Sequence, residues 1–352
     1  MKEKIRTMPR SARQNLDSSL RSKIAVIGAG GKTGTMFAFE LAQVAHILGV
    51  GKEKEVTTIK EKKLFVKRKG EGPQVFEEKV ITDSDFSQEE ILDIIFLTVK
   101  NPISPVIKYY FPKLKDKEAL PTLLLSQNGV AAISDAQKAL KEALGENSQQ
   151  VRLIRIVLFN PIDLKKKRDE AYIKYSLPVR IALAKVSGPG NINDIIDIFE
   201  KVGFQIKAFS QKEAKNLEYS KLFLNLIGMA SASYGLSVKA GFENNKIFKE
   251  EVESLKEYIK AVKLAGGKFV NFPRYPVKIL AVLFGFTPTI LLLPLRNILA
   301  QVVSGQREDK PKVLDEIDYY NGAVVELGKI VGMVTPVNEK IYKRVLAEII
   351  RG

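Results

Sequence analysis

Short apolar runs alternate with amphipathic stretches along the first two thirds of the chain. The run KIAVI, which starts at Lys23, is followed by a glycine-rich turn and by apolar residues at helical spacing. This pattern predicts a strand, a tight turn and a helix. Continuous apolar runs return in HILGVG, DIIFLTVK and LPTLLLSQNG. Such runs are typical of strands buried on both faces, so we predict an α/β domain built on a doubly wound parallel sheet.

The hydrophobic pattern changes near Ser210. Before it, VRLIRIVLFN and VRIALAKV read as later strands joined by a charged connection, and FQIKAF as a last strand. After it, nearly every stretch has helical periodicity, which predicts an all-helical domain. We therefore expect three parts: a flexible N-terminal extension (1–22), a dinucleotide-binding domain of Rossmann type (23–210), and a helical domain for substrate binding and dimerisation (211–352).

An apolar run almost free of charge extends from Ile279 to Leu295. It is shorter than the roughly 20 residues that a membrane-spanning helix needs, and it contains Pro288 and Pro294. We expect no transmembrane segment, and instead a buried helical hairpin or a hydrophobic subunit interface, which makes a homodimer the expected assembly. Contact with the surface of a membrane is the remaining interpretation.

The composition limits the possible chemistry. The 352-residue chain has no cysteine and one histidine, His46, which excludes disulfides, thiol nucleophiles and thiolate or multi-imidazole metal sites. We expect no metal, and the lack of an apolar signal segment predicts a cytoplasmic protein. The net charge of +16 is spread along the chain and interleaved with glutamate. Without an alternation of aromatic and basic residues, we expect no nucleic-acid partner.

The glycine-rich turn is the strongest candidate for a ligand site. Glycines let backbone amides approach a pyrophosphate, and the N-terminus of the following helix favours negative charge. The usual dinucleotide fingerprint has its third glycine where this chain has Thr33, and a turn without a ligand is the alternative interpretation. The predicted cofactor-binding residues are Gly28, Ala29, Gly30, Gly31, Lys32, Thr33 and Gly34.

Charged residues follow the second predicted strand, where a dinucleotide site carries either an acid for the ribose hydroxyls or a base for a 2′-phosphate. Here Lys52, Glu53 and Lys54 follow HILGVG. The two lysines favour NADPH, with Lys52 as a cofactor ligand, while Glu53 leaves NADH possible.

Other polar residues stand where a ligand crevice would form. Lys100 and Asn128 close two apolar strands, and the carboxyl ends of parallel strands border the crevice of an open sheet. Lys221 and Asn225 lie four residues apart on one helix. Each also has an ordinary explanation, a solvated strand end or a lysine whose stem packs on apolar surface.

Taken in order, LTVK, SQNG, SKLFLN and EIDYYNGAVVELGKIVGMVTPVNEKIY resemble the ketopantoate reductase (2-dehydropantoate 2-reductase) family, and the similarity runs from Lys23 onward. The resemblance implies a helical domain like the C-terminal domain of 6-phosphogluconate dehydrogenase. It also implies NADPH-dependent reduction of 2-dehydropantoate to pantoate, a step of pantothenate and coenzyme A biosynthesis.

The resemblance also implies roles for individual residues. Lys221 matches the catalytic acid of the family and Glu316 its acidic partner, and substrate is bound by residues that match Asn225, Ser304 and Asn128. The nicotinamide side of the cofactor is bordered by Lys100, Asn128 and Glu316. One departure is Met229, where many relatives have a further substrate-facing asparagine, and we expect Ser231 or Ser233 to compensate.

Two other functions stay open. A related reductase could act on another 2-keto acid, and a protein of the same fold could sense the dinucleotide without turnover. Dehydrogenases of opines or glycerol phosphate are disfavoured by the EIDYYNG segment. Lys221 and Glu316 argue against the sensor, because a binding protein has no need of a proton donor.

Overall fold

The chain divides into two compact units in its computed structural model, which describes residues 21–61, 63–86, 91–115, 118–167, 170–304 and 309–351. The first unit, here the sheet unit, contains the chain up to Gln127 together with Ile133–Gln211. The second, the helical unit, contains Asn128–Ala132 together with the chain from Lys212. The extension predicted over 1–22 falls, up to residue 20, outside the described residues.

All the described strands belong to the sheet unit. They are β1 (Lys23–Ile27), β2 (His46–Gly51), β3 (Lys63–Arg68), β4 (Gln74–Val75), β5 (Val80–Thr82), β6 (Ile94–Leu97), β7 (Thr122–Leu125), β8 (Leu153–Leu158), β9 (Asp163–Lys167), β10 (Glu170–Tyr175), β11 (Arg180–Ser187) and β12 (Gln205–Phe209). The helices between them are α1 (Lys32–Leu41), α2 (Glu53–Glu61), α3 (Ser104–Tyr110), α4 (Ala132–Leu144) and α5 (Asn193–Lys201).

Eight strands form the main sheet, in the order β12-β11-β8-β7-β6-β1-β2-β5. The strands from β8 to β5 are parallel, and β6 and β7 are buried along their whole length, as in a sheet covered on both faces. The predicted fold class, an α/β domain followed by helices, is confirmed. One departure is that β11 pairs antiparallel with β8, which needs no helical crossover.

A second sheet of four strands, in the order β4-β3-β10-β9, was not predicted. Its strands β9 and β10 occupy the stretch that the charge pattern identified as a connection. Alternate residues of β3 and β10, such as Val66 and Ile173, join the same core as Phe37 of α1. Arg68 donates two hydrogen bonds to Glu40 of α1, at 2.7 and 2.8 Å, and Tyr175 donates a third. The second sheet is therefore fixed to α1 by a buried ion pair.

The helical unit is built around α9. Its elements are α6 (Ala214–Leu226), α7 (Met229–Ala232), α8 (Val238–Glu243), α9 (Asn245–Leu264), α10 (Val277–Phe286), α11 (Thr289–Leu292), α12 (Arg296–Ser304), α13 (Asn321–Ile330) and α14 (Pro336–Arg351). Phe248, Val252 and Leu255 of α9 recur at helical spacing and are fully buried, so this helix supplies the core with a continuous apolar stripe.

A buried amide network joins α9, α13 and α14. Asn321 donates to Asn338 at 2.9 Å, and Asn338 donates to Glu257 at 2.7 Å and to the Ser254 carbonyl at 2.9 Å. Both asparagines are fully buried. These residues belong to the EIDYYNG and TPVNEK motifs, so part of that similarity reflects packing of the helices rather than chemistry.

The apolar run 279–295 forms α10, α11 and a short 3-10 helix over Leu293–Leu295. The expectation of a buried hairpin is wrong, because Ile279, Phe286 and Ile290 are 65, 75 and 71 % exposed. None of the helices in the described part of the chain combines the length and the hydrophobicity that crossing a bilayer demands.

Candidate active site

The glycine turn connects β1 to α1 and is closed by backbone hydrogen bonds. Gly28 adopts a φ of +92°, a conformation open to glycine, and the amides of Gly28 and Ala29 donate to the Val50 carbonyl at 2.8 and 3.0 Å. The Gly31 amide donates to the Gly28 carbonyl at 2.9 Å. These contacts bend the chain sharply between strand and helix.

The N-terminus of α1 fits an anionic group. Its N-cap is Gly31, no side chain caps it, and its first turn carries no acidic residue. The first amides of a helix have no acceptor within the helix and carry the positive end of its dipole. Lys32 is exposed and Thr33 half-buried beside these amides. The turn therefore suits the pyrophosphate of a dinucleotide.

The late third glycine has a physical explanation. A Cβ on Gly34 would lie 2.1 Å from the Gly28 carbonyl oxygen and 2.6 Å from Oγ1 of Thr98. Close packing of helix against strand is the task of the third glycine in the usual fingerprint. In this chain Gly34 meets that requirement, so position 33 can hold a threonine.

Glu55 is an acid beside the turn that sequence reasoning missed. A Cβ on Gly30 would lie 2.6 Å from the Glu55 Cβ and 3.0 Å from its Oε2. The same Oε2 accepts a hydrogen bond of 3.3 Å from the Lys52 amide. Lys52 and Lys54 are exposed, whereas Glu55 is half-buried. The sequence did offer a signal, since Glu55 directly follows the charged residues Lys52, Glu53 and Lys54.

Lys100 and Asn128 each follow a strand by three residues, because β6 ends at Leu97 and β7 at Leu125. The buried Gln127 links the two strand ends by donating to the carbonyls of Leu97 and Val99, at 2.9 and 3.1 Å. Lys100 is exposed in the sheet unit, while Asn128 belongs to the helical unit.

Within the helical unit, three of the predicted site residues lie together. Asn128 donates to Oε2 of Glu316 at 3.2 Å, and Asn225 donates to Oδ1 of Asn128 at 3.2 Å. All three side chains are half-buried, so their polar groups stay accessible. Residues separated by up to 188 positions thus form one polar cluster.

Tyr320 and Lys312 complete this cluster and were not predicted. The Tyr320 hydroxyl accepts from Asn128 at 3.2 Å and donates to Glu316 at 3.3 Å. Lys312 donates to the Asn225 carbonyl at 2.8 Å. The Glu316 carboxylate is thereby held by an amide and a phenol.

A fully buried acid, Glu251, lies behind the cluster. It accepts from the Gly228 amide at 2.6 Å and from the Ser231 amide at 3.3 Å. Burial raises its pKa to about 7, against the opposing effects of the Gly228 hydrogen bond and of the Lys312 charge. Lys312 therefore interacts with both Glu251 and the backbone that carries Asn225.

Lys221 lies on α6 one turn before Asn225 and is half-buried. The helix ends at Leu226, and Gly228 turns the chain with a φ of +91°. Met229 therefore does not continue the face of Lys221 and Asn225, and it packs instead in an apolar cluster with Ile317.

The two serines expected to compensate for Met229 have other partners. Ser231 is bonded to Glu251, and Ser233 donates to the Ala230 carbonyl and accepts from Arg344 at 2.6 Å. Both are fully buried. The expected compensation is therefore wrong. The remaining predicted residue, Ser304, is the last of α12, and its side chain lies outside what the structure describes.

The sheet order and the helical unit match the fold of ketopantoate reductase-like dehydrogenases. Residues 24–159 match the family model described as "Ketopantoate reductase PanE/ApbA". The resemblance to the ketopantoate reductase family that the sequence indicated is thereby confirmed over these residues. This is a family of NAD(P)H-dependent oxidoreductases. No curated protein matches this chain in sequence.

Solved structures share the fold at low identity. A PanE/ApbA family ketopantoate reductase from Ralstonia eutropha is 15 % identical, with a TM-score of 0.69 over 92 % of this chain and 97 % of that one. D-mandelate dehydrogenase with NADH and anilino(oxo)acetate is 16 % identical, with a TM-score of 0.67 over 92 % of this chain and 97 % of that one. A dimeric ketopantoate reductase from Staphylococcus aureus is 17 % identical, with a TM-score of 0.61 over 92 and 98 %.

Proposed function

We propose that this chain is a nicotinamide-dependent reductase of 2-keto acids and that its substrate is 2-dehydropantoate, which it reduces to pantoate. The observation that carries the proposal is the polar cluster of Asn128, Asn225 and Glu316, with Lys221 one turn away on the same helix as Asn225. Amides and a carboxylate around a cation are suited to hold a keto acid by its carboxylate, carbonyl and hydroxyl groups.

The reaction requires a proton donor at the carbonyl oxygen. A reduced nicotinamide whose phosphates are held at the glycine turn would supply the hydride for the keto carbon, so negative charge would develop on the carbonyl oxygen. The Lys221 ammonium stabilises that charge and donates the proton. Asn225 and Ser304 hold the substrate carboxylate and hydroxyl in this proposal. Glu316, kept in place by Asn128 and Tyr320, accepts from the substrate hydroxyl or orients Lys221.

The test of Lys221 is its replacement by alanine. We expect Lys221→Ala to lower kcat by about a hundredfold or more, since general acids contribute on that order, while dinucleotide binding is retained. Lys239→Ala removes an exposed lysine of α8 and is the matched control. Near-normal turnover by Lys221→Ala would contradict the mechanism. Glu316→Ala should act mainly on the use of substrate.

The substrate itself is tested by a panel. Oxidation of NADPH and NADH is followed with ketopantoate, with an aromatic 2-keto acid such as benzoylformate, and with smaller 2-keto acids. The aromatic acid is included because D-mandelate dehydrogenase shares the fold. Preference for ketopantoate supports the proposal, and preference for another acid makes the chain a related reductase. Binding without any oxidation would favour a dinucleotide sensor.

The choice between NADPH and NADH depends on Glu55. The lysines at 52 and 54 favour NADPH, but the carboxylate nearest to Gly30 repels a 2′-phosphate and suits ribose hydroxyls. We propose that NADH is used at least as well as NADPH. Glu55→Gln should then move the ratio of kcat/KM toward NADPH on the order of tenfold, or roughly 1.4 kcal/mol. Glu53→Gln, at an exposed acid of the same helix, is the control.

The homodimer predicted from the sequence stays a prediction. The S. aureus ketopantoate reductase, which has the same fold, is dimeric. Light scattering on the purified chain measures the mass and tests the prediction.

A further inference from the structure

Helices α10 and α11 and the turn after them present an exposed hydrophobic surface. Its six large side chains are between 43 and 75 % exposed. We call it the apolar face, and it consists of Ile279, Val282, Phe286, Ile290, Leu291 and Leu295. Single exposed apolar residues are common on proteins, but a continuous group on consecutive helices marks a contact surface.

The exposure of the apolar face does not result from helices α10 and α11 being detached from the core. Helix α10 buries Val277, Ala281 and Phe284 on its other side. At the start of α11, Thr289 accepts from Lys256 of α9 at 2.6 Å and donates to Glu253. The helices are therefore packed and tied to the core, and α10 is apolar on both sides. A helix of this kind needs a nonaqueous neighbour on its outer side.

Basic residues predominate in the stretch of sequence that carries the apolar face. Residues 258–307 contain seven Lys or Arg and no Asp or Glu. Arg274 and Lys278 are exposed immediately before and within the first turn of α10. Glu253, the acid that contacts Thr289 of α11, is paired with Lys256 at 3.2 Å. An apolar surface with exposed cations beside it is complementary to a surface that is apolar inside and anionic at its edge.

A basic cavity adjoins the apolar face. It has a volume of about 540 Å³, and its lining includes four lysines and one acid, Lys212, Lys215, Lys268, Lys278 and Glu213. Lys215 pairs with Glu218 at 2.9 Å, while the other three lysines are exposed. Because Lys278 belongs to both features, the cavity opens beside the start of α10. Its size and charge suit a phosphate-bearing head group.

A second copy of the chain fits this surface less well. In a two-fold dimer the same patch meets itself, so the cations at Arg274 and Lys278 would approach their own equivalents. Residues 258–307 contain no acid that could neutralise them, and Glu253, which contacts Thr289, is already paired with Lys256. An anionic bilayer supplies both the apolar layer and the negative charge.

We propose that the helical unit binds in the plane of an anionic phospholipid bilayer. The apolar face enters the boundary between head groups and acyl chains, and the lysines of the cavity contact lipid phosphates. This attachment goes beyond the proposed reductase function, because it uses no residue assigned to the site.

The experiment is sedimentation of the purified full-length chain with vesicles. One set contains phosphatidylcholine alone, and the other contains phosphatidylcholine with about 30 mol % phosphatidylglycerol. We expect binding to the anionic vesicles to exceed binding to the neutral ones by about tenfold or more, and to weaken with salt. Phe286→Glu/Ile290→Glu should abolish it. Ile330→Glu/Val334→Glu changes two residues that are 80 and 84 % exposed elsewhere and should leave it unchanged.

A second variant tests the charge without touching the apolar face. Lys268→Ala/Lys278→Ala should lower binding to anionic vesicles severalfold and leave the circular dichroism spectrum unchanged. It keeps the proposal testable if the glutamate pair impairs folding.

Two results would overturn the proposal. One is equal binding to neutral and anionic vesicles, or to neither. The other is a native dimer, measured by light scattering, that Phe286→Glu/Ile290→Glu converts to monomers, since the face would then be covered by a second copy. Keto-acid turnover is measured in parallel. Its absence would reject the reductase proposal and leave vesicle binding standing, so the two failures are distinguishable.

Discussion

At the scale of single residues, Glu251 is the most unusual group near the candidate site. It is 1 % exposed, and its carboxylate accepts from the amides of Gly228 and Ser231. Burial nevertheless dominates and raises its pKa to about 7 from an ordinary value of 4.5. The folded protein therefore binds a proton on Glu251 over a range in which the unfolded chain has lost it.

The raised pKa predicts that stability falls as the pH rises. Below pH 4.5 both states hold the proton; between 4.5 and about 7 the folded state holds more, so the free energy of unfolding decreases through this window. The decrease is about 3 kcal/mol, because each pKa unit corresponds to about 1.36 kcal/mol.

Glu251→Gln should remove that decrease. The stability of the variant relative to the wild type should therefore be greater at pH 8 than at pH 5. Urea unfolding at the two pH values measures it, with the exposed Glu348→Gln as control. An identical pH dependence in wild type and Glu251→Gln would contradict the raised pKa.

The predicted residues of the site differ from the missed ones in their sequence context. Asn128 and Asn225 interrupt apolar stretches and are conspicuous. Glu251 lies in the Lys/Glu-rich helix α9, where an acid is ordinary. A signal was nevertheless present, since Glu251 lies on the same buried stripe as Phe248 and Leu255. It is three residues after Phe248 and four residues before Leu255, which is helical spacing. The contacts of Lys312 had no such signal, because they depend on tertiary folding.

At the scale of elements, two glycines near the turn between β1 and α1 have different roles, one in packing and one in leaving space for a ligand. The Cβ of an alanine at 34 would meet the Gly28 carbonyl oxygen at 2.1 Å, whereas one at 31 would have only that oxygen near it, at 3.3 Å. Gly34 thus serves the packing of helix on strand. Gly31 is the N-cap of α1, where a methyl group would meet little else of the protein and would add bulk beside the first amides of the helix.

We expect Gly34→Ala to affect mainly stability and Gly31→Ala to affect mainly dinucleotide binding. Gly34→Ala should destabilise the sheet unit by about 3 kcal/mol or more, because the backbone must move. Gly31→Ala should change stability by less than about 1 kcal/mol but weaken dinucleotide binding. Thermal unfolding and titration with NADH separate the two effects. A Gly34→Ala protein as stable as the wild type would refute this packing role.

The second sheet shows why part of the fold could not be predicted. Apolar runs identified the strands of the main sheet, since those strands are buried on both faces. Strand β9 is exposed along its whole length and has the sequence DLKKK, which carries no hydrophobic signal. Its pairing with β10 is set by tertiary contacts such as Ile173 with the common core.

The two residues of the ion pair that fixes this sheet to α1 should make coupled contributions to the free energy of unfolding. Glu40→Ala removes the buried carboxylate and leaves the largely buried guanidinium of Arg68 with only the exposed Glu71, at 3.1 Å. We expect a loss of about 3 kcal/mol. Glu40→Leu/Arg68→Met removes both charges and should cost less than Glu40→Ala alone, although the Tyr175 hydroxyl loses an acceptor. Urea unfolding of single and double variants measures the coupling. Losses that simply add would show that the pair is not coupled.

At the scale of the whole molecule, the two units do not follow one another along the chain. Asn128–Ala132 belong to the helical unit although the residues on both sides of them belong to the sheet unit. Within the helical unit, Lys215 donates to the Val130 carbonyl, and Asn128 donates to Glu316. A sequence boundary near 210 therefore omits a small but bonded part of the helical unit.

A fragment consisting of 212–352 should be less stable than the same unit in the full chain. We expect a thermal midpoint lower by about 5 °C or more, because several hydrogen bonds are lost. The same fragment with residues 128–132 attached through a flexible linker should recover part of this difference. Circular dichroism follows both melts. Equal midpoints for the two fragments would mean that the segment contributes nothing.

The division at Gln127 and Asn128 also bears on how such enzymes can diversify. Gln127 spans the ends of β6 and β7, and the next residue is part of the polar cluster with Asn225 and Glu316. Recombination that joined a foreign helical half at residue 212 would transplant Asn225 and Glu316 but inherit Asn128 from the host. New substrate preferences in this lineage are therefore expected to arise by point substitutions within one gene rather than by exchange of whole domains.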